Sequence, residues 1–130
     1  MLTGFDHVNI RTANLAAMVD WYGAVLGLVP GRRPDFPFPG AWLYLGDAAL
    51  VHLVGVDAPP QPGGDLRLEH AAFRATGLGP FLDRLRARDE RFELARVPGF
   101  PIVQVNVWDP DGNHLHGDFP VREADALGLA

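Results

Sequence analysis

Apolar and polar residues alternate from Phe5 to Arg11, which predicts a strand with His7, Asn9 and Arg11 on one face. The period then changes. After Asn14, a residue type that caps helices, Leu15, Met18, Val19, Tyr22, Val25 and Leu26 recur at helical spacing, and Gly27 supplies the stop. Leu28-Val29 opens a short strand, and residues 30–40 carry too much proline, glycine and arginine for regular structure. Trp42 to Leu45 and Ala49 to Val54 read as a hairpin turned at Gly46-Asp47. Asp57 to Asp65, a proline run closed by two glycines, is the one obvious linker. Beyond it the order starts again. Leu66 to Ala75 reads as a strand, and Leu78, Phe81, Leu82 and Leu85 form a second helical stripe ending near Arg88. Phe92 to Val97, Ile102 to Trp108 and His114 to Phe119 supply three more strands, the last two joined by the tight turn Asp109-Pro110-Asp111-Gly112. After Pro120 the tail is short and is expected to fray.

Each half is therefore β-α-β-β-β, with modules at about 1–56 and 66–120 joined by linker 57–65. The fold class is α+β: two tandem βαβββ modules forming a curved mixed sheet, a trough of eight strands, with one helix per module on the outside. At 130 residues the chain reads as one domain.

Composition narrows the partners. The formal charge of −5 offers no basic stripe, so neither nucleic acid nor an anionic membrane is expected. The absence of cysteine removes disulfides, thiolate metal sites and cysteine nucleophiles together. With no basic n-region followed by an apolar stretch, and no run approaching the roughly 20 residues of a membrane span, the expectation is a soluble, cytoplasmic protein.

The chemistry lies in the repeat. Asp6-His7-Val8-Asn9-Ile10-Arg11 is echoed 63 residues later by Glu69-His70-Ala71-Ala72-Phe73-Arg74, and His52 is echoed by His116 after 64. Four of the five histidines fall into this register. Paired modules that bring equivalent strands together gather four imidazoles, and imidazole is the commonest metal-ligand side chain. A lone histidine in a strand is more often a hydrogen-bonded core residue, so it is the shared register that points to a metal.

The βαβββ duplication, Asp6-His7-Val8, Trp21-Tyr22-x-x-Val25-Leu26-Gly27-Leu28 and the closing Asp109-Pro110-Asp111-Gly112-Asn113 together resemble the vicinal oxygen chelate superfamily, over essentially the whole chain. That group includes glyoxalase I, extradiol dioxygenases, fosfomycin-resistance enzymes and bleomycin-binding proteins. The resemblance implies one divalent metal ion, with His7 matching the first-strand ligand, His70 its counterpart in the second module, and His52 and His116 the two positions where relatives carry glutamate. Four neutral ligands leave the ion its full charge, which favours anionic substrates. Zinc, nickel, manganese and iron(II) all suit such a set, and no organic cofactor is expected. Arg11 matches an arginine that in glyoxalase I contacts the glutathione carboxylate. The resemblance also implies a homodimer.

The functional reading is a metal-dependent enzyme of the glyoxalase/dioxygenase type, with lyase, isomerase or dioxygenase chemistry on a small substrate held through two neighbouring oxygens. His7, His70 and His116 are its ligands, with His52 as a fourth or as a base. His114, which shares a strand face with His116 and Asp118, is a proton carrier or merely caps the turn. Arg11 and Arg74 hold a substrate carboxylate or pair with Glu69 and Asp6. Trp42 and Trp108 are pocket walls, Phe36 and Phe38 a lid, and Trp21 and Tyr22 pack on the sheet. The arginine-rich run from Arg84 to Arg91 is a solvated helix end. The alternative is a metal-free, bleomycin-resistance-like protein that sequesters an aromatic or cationic small molecule. A third possibility is a degenerate module serving only as an interaction domain.

Overall fold

The computed structural model describes residue 1 and residues 3–61 and 66–130; the predicted linker's last four positions, 62–65, lie outside the described residues. The chain divides into two compact units, Met1–Gly64 and Asp65–Ala130.

In the first unit β1 (Val8–Thr12) leads into α1 (Leu15–Ala24), followed by β2 (Val29–Gly31), β3 (Gly40–Leu45) and β4 (Ala48–Gly55). The sheet order is β1-β4-β3-β2, with β1 parallel to β4 and the other pairs antiparallel. A parallel pair needs a crossover rather than a hairpin, and α1 lies within the crossover. Met18, Trp21 and Tyr22 of α1 and Val25 at its C-terminal cap are buried together with Leu43, Val51 and Leu53 of the sheet. Gly27 ends the helix at φ +75°, a backbone state that costs other residues dearly, and the Leu28 N–H turns back to the Tyr22 carbonyl at 3.1 Å. Asn14 stands at the N-cap position but makes no side-chain capping bond; its own N–H donates to Thr12 Oγ1 at 2.9 Å.

The second unit repeats the plan with β5 (His70–Arg74), α2 (Leu78–Ala87), β6 (Phe92–Arg96), β7 (Ile102–Trp108) and β8 (His114–Pro120), in the order β5-β8-β7-β6. Again the first and last strands pair in parallel. Leu78, Leu82 and Leu85 of α2 are buried with Val103, Val105, Val107, Leu115 and Phe119. Two short four-stranded mixed sheets, each with a crossover helix, are thus an α+β arrangement of two similar βαβββ modules.

Two expectations need correction. The strand expected from Leu66 begins only at His70, after a bend, because its ladder with β8 starts at His70↔His114. The tail does not fray: Val121–Ala126 forms a helix, α3, whose Ala124 is fully buried. Its anchor is Glu123, whose Oε2 accepts hydrogen bonds from the Gly77 and Leu78 N–H groups at 2.9 and 2.6 Å. Since α2 starts on a glycine with no side chain to cap it, Glu123 serves as its cap from 45 residues away. Arg96 secures the other side, donating to Asp125 at 2.8 Å and to the Leu129 carbonyl at 2.7 Å.

The Asp109–Gly112 turn is held by its first residue. Asp109, 5% exposed, accepts from the N–H groups of Asp111 and Asn113 and from Asn113 Nδ2, at 3.0, 2.9 and 2.8 Å. That clamp fixes where β8 begins, and hence which face His114 and His116 occupy.

Replacing Glu123 by alanine uncaps α2 and is expected to cost about 1–2 kcal/mol in urea denaturation, with Glu123→Gln losing roughly half as much. Asp109→Ala is expected to cost about 2–3 kcal/mol, because it orphans buried donors. A cost below 0.5 kcal/mol in either would show that the contact is dispensable.

Candidate metal centre

In each module one face of the sheet is buried with the helix residues and the other carries polar and aromatic side chains. Across the open face of the second sheet, cross-strand pairing aligns Trp108, His114 and His70 in one row, Asn106, His116 and Ala72 in the next, and Gln104, Asp118 and Arg74 in a third. On the first sheet, Trp42, His52 and Asn9 form the equivalent row. His7 stands one residue before the β1 ladder.

The second module draws three imidazoles together. Ring centroids of His70 and His116 lie 4.5 Å apart with planes tilted by 45°, and those of His70 and His114 lie 5.2 Å apart with a 59° tilt. Two imidazoles on one ion, with metal–nitrogen bonds near 2.1 Å, have centroids about 4.5–5.2 Å apart. The His70–His116 spacing falls within that range, whereas His114 has both ring nitrogens engaged, Nδ1 by Glu69 and Nε2 by Asn106. The Glu69 carboxylate spans two of the rings: one oxygen pairs with His70 Nδ1 and the other with His114 Nδ1 at 2.7 Å. Glu69, His70 and His114 offer ligand atoms all within 4.8 Å of one another. Hydrogen bonds to these two rings push the Glu69 carboxyl below its ordinary pKa, so it is ionised at neutral pH.

Glu69 is the residue that sequence reasoning missed as part of the site. The pairing of Glu69 or Asp6 with Arg11 or Arg74, one of two readings above, does not occur: Asp6 pairs with His7 Nδ1 at 2.6 Å, and neither arginine forms an ion pair among the described residues. Nor does His114 cap the turn, which Asp109 holds; its Nε2 faces Asn106 Oδ1 at 2.8 Å, while Asn106 Nδ2 donates to the Glu93 carbonyl at 3.3 Å. Trp108 is not a bare wall, since it stacks with His114 and carries the Arg91 guanidinium 3.8 Å from its centroid. Arg91 itself stays exposed, as expected of the arginine run, and pairs with Glu93 at 2.8 Å.

His116 is 5% exposed. Its Nδ1 is 2.8 Å from Asp118 Oδ1, yet the approach is too bent for a hydrogen bond, and both buried atoms lack any other partner. Burial, outweighing the nearby Asp118 carboxylate, lowers the His116 pKa and favours the neutral ring that metal ligation requires. An ion coordinated by this ring would repay its burial, so these donors fit a divalent metal.

The first module is arranged differently. His52 is packed between His7, 3.7 Å away and 11° from parallel, and Trp42, 3.9 Å away and 12° from parallel. A bound ion lies near the plane of each imidazole that holds it, and two nearly parallel planes 3.7 Å apart have no such point in common. As stacked, His7 and His52 do not fit one shared ion. His52 Nε2 donates to the Ala49 carbonyl at 3.1 Å, which leaves Nδ1 as the acceptor. Burial first, and the His7 ring second, lower the His52 pKa against the smaller opposing effects of Ala49 and Asp6. Beside the stack lies a cavity of about 650 Å³, bordered by Trp42, Phe36, Phe38 and both histidines.

Comparison with known proteins agrees with this architecture. Residues 4–116 match the family described as the Glyoxalase/Bleomycin resistance protein/Dioxygenase superfamily. A protein named Glyoxylase I 4 from Arabidopsis thaliana is 28% identical over 118 residues, covering 85% of this chain and 67% of that protein. Among solved structures, a putative glyoxalase family protein from Bacillus anthracis superposes with a TM-score of 0.76 at 18% identity, covering 92% of this chain and 97% of the other. A lactoylglutathione lyase from Agrobacterium tumefaciens superposes with a TM-score of 0.68 at 18% identity, covering 91% and 94%. At those identities the superpositions speak for the fold alone. The family match, spanning most of the chain, says more: this protein belongs to the glyoxalase/bleomycin resistance protein/dioxygenase superfamily.

Proposed function

We propose that the protein is a divalent-metal-dependent enzyme of this superfamily, acting on a small substrate with two neighbouring oxygens. The observation that carries the reading is the pairing of a carboxylate with Nδ1 of two histidines, Asp6 with His7 and Glu69 with His70, while Asp118 lies beside Nδ1 of His116 without a hydrogen bond. A carboxylate on one ring nitrogen orients the imidazole and makes the other a better ligand. In all three rings Nε2 has no hydrogen-bond partner among the described residues. In the second module His70 and His116 would hold the ion through Nε2, and zinc, nickel, manganese and iron(II) remain the candidates. When bound, the ion would supply Lewis acidity toward the substrate oxygens.

The chain's own residues supply the rest. His52, kept neutral and with Nε2–H fixed on Ala49, presents Nδ1 as a general base. His114, tied to Glu69 and Asn106, is the proton carrier of the second module. Arg11, exposed in β1 two residues from Asn9, offers charge for a substrate anion. Lyase or isomerase chemistry and dioxygenase chemistry separate by their dependence on oxygen. The aromatic cavity favours a second reading, metal-free sequestration of a small molecule.

Elemental mass spectrometry of untagged protein is expected to find about one ion per chain, lost in His70→Ala and His116→Ala. Glu69→Gln should keep the ion but weaken its affinity about 10–100-fold. No ion in the wild type after soaking with each candidate metal would reject the enzyme reading and favour sequestration.

A pH dependence follows from the two lowered histidine pKa values. As pH falls through the ordinary histidine value near 6.5, the unfolded chain takes up protons that His52 and His116 resist while folded. Metal-stripped protein should therefore have its full stability above about pH 7 and lose some as pH falls toward 5.5. His52→Gln should flatten part of that loss in urea midpoints, and an unchanged slope would refute the assignment of His52 as a buried neutral ring.

A further inference from the structure

The first module's cavity also borders an arginine that no metal reading uses. Arg33 lies in the segment between β2 and β3. Its guanidinium carbon is 5.0 Å from the Phe36 ring and 5.1 Å from the Phe38 ring, two rings that stack 5.0 Å apart. Its Nη2 donates to the Phe38 carbonyl at 3.0 Å. A Cβ on Gly40 would come within 2.4 Å of the Leu53 carbonyl oxygen and 2.8 Å of the same nitrogen, so the guanidinium packs against a glycine that the Leu53 backbone also requires. The group is held by two rings, a carbonyl and a glycine, and among the described residues no carboxylate pairs with it.

Two carboxylates border the cavity, and neither cancels this charge. Asp6 is engaged by His7 at 2.6 Å. Asp47 sits in the hairpin turn past the far end of β3, and Arg33 packs against Gly40 at the near end. A fixed, weakly hydrated guanidinium beside aromatic walls suits a planar anion, because its ordering cost is already met and its fork matches a carboxylate.

We infer that the first-module cavity selects planar aromatic anions of the aryl carboxylate class, the ring against Trp42, Phe36 and Phe38 and the carboxylate on Arg33. This rests on reading the cavity as the substrate site, but not on the presence of a metal. It reverses the preference for cations that the overall charge of −5 alone would suggest.

The test is isothermal titration calorimetry of metal-stripped protein with 2-naphthoate, the neutral 2-naphthalenemethanol and the cationic 2-naphthylmethylammonium. The naphthoate should bind at least about 10-fold more tightly than the alcohol, with the advantage shrinking as salt rises from about 0.05 to 0.5 M. Arg33→Gln should bring the naphthoate down to the alcohol's level and leave the alcohol within about twofold of wild type, whereas Arg33→Lys should restore part of the difference. Equal binding of all three, tighter binding of the cation, an unchanged Arg33→Gln, or no binding at all would overturn the inference. Metal content measured on the same wild-type preparation before stripping separates the outcomes: absence of the ion with the naphthoate preference intact would remove the metal reading and leave this one standing.

Discussion

The parallel pairing of the first and last strands in each module is the constraint on which the rest depends. Strands that run the same way cannot be joined by a hairpin, so each chain half must travel through a helix and two further strands before returning. The return places β4 beside β1 and β8 beside β5, and residues more than forty positions apart become lateral neighbours: Asn9 with His52, His70 with His114, Ala72 with His116. The crossover helix must then bury its apolar stripe against one face of the sheet, which is where Leu43, Val51, Val105 and Leu115 are found. What remains is a second face with no helix residues to accommodate, and the histidines occupy it. Thus the site follows from topology before any single residue is considered.

The same plan yields two different local environments. In the first module three flat rings are layered, so packing and burial decide the state of His52. In the second, an exposed carboxylate ties two tilted rings together while the third sits buried beside Asp118 with its polar atom unmatched. Layered rings are satisfied by one another, whereas tilted rings with unused nitrogens are not. The duplication has therefore preserved geometry at the level of strands and let the side-chain chemistry diverge.

Much of the fold could be read in the sequence because period-two and period-3.6 patterns report directly on which residues face a core. The β7 and β8 alternation, the α1 and α2 stripes, the Gly27 stop and the Asp109 turn are all local signals, and they appear where expected. The interactions that were not legible join residues distant in sequence. Glu69 meets His114 only through the register of β5 on β8, and Glu123 reaches Gly77 only after the tail folds back. A six-residue helix opening after Pro120 leaves too little periodicity to see, and its stability comes from partners elsewhere in the module. Arg33 escaped notice for a similar reason, since its setting depends on a missing side chain at Gly40.

The clamp of Asp109 on its turn has a consequence for how this strand tolerates change. By fixing the start of β8, it assigns His114, His116 and Asp118 to one face and Leu115 and Phe119, both buried, to the other. Neighbouring positions therefore answer to different criteria: volume and hydrophobicity at one, proton and lone-pair chemistry at the next. Substitutions accepted along β8 should accordingly form a two-residue rhythm, Leu115 admitting other aliphatics that His116 would refuse, and a single inserted residue after Asn113 would exchange the two sets of demands along the whole strand.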